Sequence, residues 1–155
     1  MTKIYHLLFA ALLFCLAHCE TTETKLDSDN YENSTERVEI LSRAIKTFSP
    51  IKDAEFELFN VNGFNNGSLS TPGASSWDYK FVVKVDTADV YKWCDGMTEV
   101  SADTDDNHWN EDIIQNRKAN WQTSGIPRYY ERTGQDVTMI VYHKDGLIFK
   151  RVIMI

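Results

Sequence analysis

The chain has 155 residues, 16 Lys and Arg against 23 Asp and Glu for a formal net charge of −7, 43% hydrophobic residues and three cysteines. That length fits a single domain of about 100–200 residues. The apolar and aromatic content is too high for a chain disordered throughout, the cysteines are too few for a disulfide scaffold, and glycine and proline are too scarce for a collagen-like or low-complexity polymer.

Residues 1–19 stand apart from the rest. After Lys3 runs a mostly apolar stretch from Ile4 to Ala17, and the charged sequence begins at Glu20. A cation, a short apolar run and small residues at its exit are the plan of a secretory signal peptide. The run is shorter than the roughly 20 apolar residues that cross a bilayer. Leu16-Ala17-His18-Cys19 resembles the cleavage box of bacterial lipoproteins, with His18 where that box carries Gly, Ala or Ser. The resemblance implies lipidation of Cys19, while ordinary cleavage after Ala17 or after Cys19 also satisfies the small-residue rule. The expectation is an exported protein: secreted, periplasmic, or held at the envelope with a lipid anchor as its only link to a membrane.

Removal of residues 1–19 takes away Lys3 and leaves 15 cations against 23 anions, a balance of −8. Such a surface favours a cationic protein partner and disfavours nucleic acid, whose phosphates need clustered Lys and Arg. Cys15 leaves with the leader, so Cys94 is the sole cysteine of the core and packing must hold the fold without an internal disulfide.

Residues 20–33 are polar and read as a tether, with one domain over residues 34–155. Asn33-Ser34-Thr35-Glu36 offers capping side chains, and Val38, Leu41, Ile45 and Phe48 recur at helical spacing up to Pro50, predicting a helix that ends near Ser49. A strand is predicted from Ala54 to Val61, then a long glycine, asparagine and serine loop through Ser76. Trp77 to Val85 alternates apolar with mostly polar residues, the clearest strand in the chain. Asp86 or Thr87 caps a short helix bearing Val90, Trp93, Cys94 and Met97, and a second helix is predicted from about Asn107 through Ala119. Three strands close the chain: Arg128 to Arg132, Asp136 to His143, and Leu147 to Ile155. The Lys144-Asp145-Gly146 turn predicts a tight hairpin between the last two. The last is apolar on both faces at its end, as a central or covered strand would be. The expected architecture is α+β, an antiparallel sheet of about five strands with helices packed on one face.

Chemistry-bearing motifs are sparse. Asp103, Asp105, Asp106, Glu111 and Asp112 surround His108, but EF-hand spacing would need Gly at His108 and Glu at Ile114. An acidic helix start accounts for the cluster. No HExxH, CxxC or phosphate-loop motif occurs, so no cofactor is expected and metal binding is left open. Cys94 lies on the apolar stripe with Trp93 and Met97, as a packed thiol does, and Gly73-Ala74-Ser75-Ser76-Trp77 lacks the last glycine of a nucleophile elbow. Asn33-Ser34-Thr35 and Asn66-Gly67-Ser68 match glycosylation sequons, which matter only in a eukaryotic secretory host.

Aromatics carry the binding signal. Trp109, Trp121, Tyr129 and Tyr130 are the expected recognition residues, since adjacent Tyr129 and Tyr130 must point to opposite faces of a strand and one of them should be outward. These features favour an exported, non-catalytic protein that binds or inhibits a macromolecular partner. A small exported hydrolase using His108 or His143, or a structural envelope protein, are the alternatives.

Overall fold

The computed structural model describes residues 23–64, 75–101 and 108–154. The leader, the proposed lipidation site Cys19, the loop serine Ser68 and the acidic residues Asp103, Asp105 and Asp106 lie outside them.

The fold is α+β, built on one fully antiparallel seven-stranded sheet. Its strands are β1 (Lys25–Asp27), β2 (Asp53–Asn60), β3 (Trp77–Lys84), β4 (Thr98–Val100), β5 (Arg128–Glu131), β6 (Asp136–Tyr142) and β7 (Leu147–Met154). They lie in the order β1-β2-β3-β7-β6-β5-β4. β7 is central, as its double-sided apolar sequence predicts. Two strands exceed the expected five. β1 arises within the expected tether: Leu26 pairs with Leu58 and is buried, and its three residues are too short to carry a readable alternation. β4 is equally short and pairs Val100 with Tyr129.

The helices are α1 (Ser34–Ala44), α2 (Val90–Trp93) and α3 (Trp109–Asp112), with three-residue 3₁₀ turns at Ser28–Asn30 and Thr87–Asp89 and a longer 3₁₀ segment at Gln115–Trp121. The Asn33 carboxamide accepts the Thr35 amide at 2.8 Å and starts α1 as expected. The helix stops a turn early, because Ile45 turns extended. Phe48 then packs edge-on against Trp93 at 5.2 Å, and the Trp93 indole donates to Ser49 at 2.9 Å. The predicted helix over 107–119 is broken at Arg117, which leaves helical geometry (φ −130°, ψ 30°).

Successive strand residues face opposite sides of a sheet, and both sides are covered. Leu41, Phe56, Phe81, Val83, Trp93, Met139 and Ile148 form one core beneath α1 and α2. On the reverse face Val82, Ile140, Leu147 and Phe149 pack with Trp109, Ile113, Ile114 and Trp121. The expectation of helices on one face is therefore corrected: the Trp109–Trp121 region covers the second face, which the apolar residues of β7 on both sides require.

The β6–β7 connection is one residue longer than the predicted Lys144-Asp145-Gly146 turn. Tyr142 pairs with Leu147, so four residues make the turn. Gly146 has φ 67°, and a Cβ there would sit 2.5 Å from the Val85 carbonyl oxygen, so only glycine fits without displacement.

β2 is longer than β1, and its first half is closed by a side chain. The buried Arg37 guanidinium donates to the Ala54 carbonyl (2.8 Å), the Glu32 carbonyl (2.8 Å) and Asp53 (2.7 Å), replacing the missing strand. Arg117 reaches Glu55 at 2.8 Å and the Tyr31 carbonyl at 3.0 Å, which explains the break in its helix. These bonds, with one from Arg117 to the Ser28 carbonyl, join residues 28–32 to α1 and the 3₁₀ segment.

Candidate functional site

Three of the expected aromatic anchors, Trp109, Tyr129 and Tyr130, line one small cavity of about 60 Å³, and Trp121 lies outside it. Trp109, Trp121 and Tyr130 are buried, and Tyr129 is half-buried against the second core. Tyr129 and Tyr130 do face opposite sides, but each side has a core, so neither ring is free. The Trp121 indole points at Glu55 (3.4 Å), and the Tyr130 hydroxyl lies 3.1 Å from His143 Nε2. The buried Trp109 Nε1 has no hydrogen-bond partner among the described residues.

The histidines are separated as well. His108 is exposed where α3 begins, over the second face, whereas His143 contacts Tyr130 of the first. Cys94 lies near Tyr130, but burial raises its thiol above the ordinary value, and burial lowers His143. A thiolate–imidazolium nucleophile needs the opposite shifts. Among the described residues no group of three or more His, Cys, Asp or Glu could hold a metal ion, and no helix is long and apolar enough to cross a membrane.

A different constellation forms on the first face. Strand pairing sets Phe56, Phe81, Lys150 and Met139 side by side in one row, and Leu58, Tyr79, Val152 and Val137 in the next. The end of α1 and the segment through Phe48 stand over the open part of these rows. Between them is an open groove of about 340 Å³, walled by Ile45, Phe48, Trp77, Tyr79, Phe81 and Val152. Lys46, Arg132 and Lys150 also line it, and no carboxylate among the described residues does.

Lys150 is the unusual member, only 6% exposed within an apolar row. Burial, reinforced by the Arg132 guanidinium, pushes its ammonium down to about 8, with Cys94 pulling weakly the other way. Its Nζ lies 5.4 Å from the Phe48 ring centre, and the Lys46 Nζ lies 5.2 Å from the same centre, both within cation–π range. On the opposite wall the Asn60 amide donates to the Tyr79 hydroxyl at 3.0 Å.

A larger cavity of about 510 Å³ lies along β1, β2 and β3 and is lined by charges of both signs, Lys25 and Lys80 with Asp27, Glu57 and Asp78. Lys80 pairs with Glu57 at 3.3 Å and Asp78 with Arg151 at 2.8 Å. The smaller groove is chemically the more distinctive, because its cations form no ion pair among the described residues and its walls are aromatic.

Sequence reasoning missed this site. One signal was present: Lys150 and Arg151 interrupt a strand that is apolar on both sides, and adjacent strand residues face opposite ways. If both faces of β7 are covered, one of the two charges must lie against the first core. No protein-family model matches the chain, and comparison with curated proteins and with solved structures gives no match either.

Proposed function

We propose that this protein is an exported, non-catalytic binding protein that holds its ligand without covalent chemistry in the groove between α1 and the β3–β7 floor. The observation that carries the reading is the buried Lys150 ammonium opening onto aromatic walls. Ligand sites commonly pair a largely apolar lining with a few placed polar groups, at volumes of about 300–1,000 Å³. The export part of the proposal rests on the apolar leader and its small-residue exit. The C-terminal aromatics pack largely within the two cores, and the groove's size favours a small molecule over the expected macromolecular partner.

A fragment screen by NMR tests the reading, using small alcohols, amides, amines and acids. Binding in the groove shifts the Trp77 indole and Val152 methyl resonances together. A screen in which no compound moves either signal, or in which all hits map to other surfaces, contradicts it.

A further inference from the structure

We infer that the groove selects small organic acids, molecules with an apolar body and a single carboxylate. The inference rests on the binding reading and adds the charge of the ligand.

Charge complementarity is its basis. The chain carries more acids than cations, yet among the described residues three of the groove's eleven lining positions are cations and none is an acid. Among the described residues none of Lys46, Arg132 and Lys150 forms an ion pair, whereas eight other cationic side chains do. These three come from separate places: the segment after α1, the turn after β5, and the middle of β7. Folding gathers them around one opening.

Each alternative ligand meets a physical objection. A cation would face three like charges across a poorly hydrated wall. A neutral molecule would cover the Lys150 ammonium beside the Phe48 ring and supply at best an uncharged acceptor in place of water. A carboxylate supplies acceptors to both ammonium and guanidinium donors, and such charge-assisted bonds are about twice as strong as neutral ones. The apolar remainder of the molecule then lies on Trp77, Tyr79 and Val152.

The ionisable groups around Lys150 are Arg132 after β5, Lys46 after α1, Cys94 at the end of α2, Tyr79 on β3 and Tyr130 on β5. Burial first, and Arg132 next, bring the amine down to about 8, so that it is protonated at neutral pH and close to losing its proton just above it.

The test is calorimetric titration of the full-length mature protein with phenylbutyrate, its neutral isostere phenylbutyramide and the cationic phenylbutylamine. The acid should bind at least about tenfold more tightly than the amide, the equivalent of one charge-assisted hydrogen bond. That preference should fade as pH is raised past about 8, where the free Lys150 loses its proton. K150M should erase the preference, and R132Q should weaken it.

Equal binding of acid and amide overturns the inference while leaving the groove as a binding site. Tighter binding of the amine does the same. If neither acid nor amide perturbs Trp77 and Val152, the binding reading itself fails and takes the inference with it. An acid preference that survives K150M unchanged also overturns the inference, since the acid then sits elsewhere.

Discussion

Lys150 occupies a place where packing alone would put Leu or Met. Phe81 and Met139 flank it on the neighbouring strands, and Phe48 lies above it. With its pKa lowered from 10.5 to about 8, the ammonium costs the folded state on the order of 3 kcal/mol at neutral pH. The sign follows from proton linkage. Below pH 8 the amine is protonated in both states and the full cost is present. Between about 8 and 10.5 the unfolded chain binds more protons, so folded stability rises with pH, and above 10.5 the cost is gone. K150M should therefore be more stable than the natural protein at pH 7, by up to about 3 kcal/mol, with the difference shrinking towards pH 10.5. Urea unfolding at pH 7 and pH 10 checks this. A destabilised variant at pH 7, or the same difference at both values, would show that the charge is not the source of the cost. Keeping a destabilising charge at the floor of an open groove is the residue-scale reason for reading that groove as a site.

At the scale of elements, the Arg37–Asp53–Glu55–Arg117 network joins pieces that secondary structure leaves apart. α1, the start of β2, the turn through Tyr31 and the 3₁₀ segment at Gln115–Trp121 meet around two guanidinium groups. Removing one member of a buried pair strands the other charge, so R37M should cost about 3–5 kcal/mol in urea unfolding. β1 should loosen with it. The Asn60 amide, which donates to the Thr24 carbonyl at 2.9 Å beside β1, should then lose hydrogen-exchange protection. Unchanged protection and unchanged unfolding would reduce the network to decoration.

The same network marks where sequence reasoning loses its grip. β3 was legible from its alternation, β6 and β7 from apolar runs of seven and eight residues on either side of the Asp-Gly turn, and the Asn33 cap announced α1. Arg117 looks like any cation on a helical run, and nothing local says that Glu55, more than sixty positions earlier, will pull it out of helical geometry. β1 and β4 exist through pairing rather than propensity, so three residues gave no periodic signal. The groove was hidden for a related reason. Lys46, Arg132 and Lys150 are unremarkable singly and become a set only when strand order places them together.

For the whole molecule, charge is divided unevenly. The chain is acidic overall, which favours solubility and repels anions at a distance, while the groove reverses that sign locally. A ligand must therefore be held by short-range contacts more than by long-range attraction, and raised salt should weaken its binding only modestly. The most direct measurement is the titration of the Lys150 side chain by carbon NMR at Cε, assigned by comparison with K150M and run with and without saturating phenylbutyrate. A midpoint near pH 8 that moves upward in the presence of the acid is the predicted result. A midpoint at the ordinary lysine value, unmoved by phenylbutyrate, would contradict both the buried ammonium and the site built upon it.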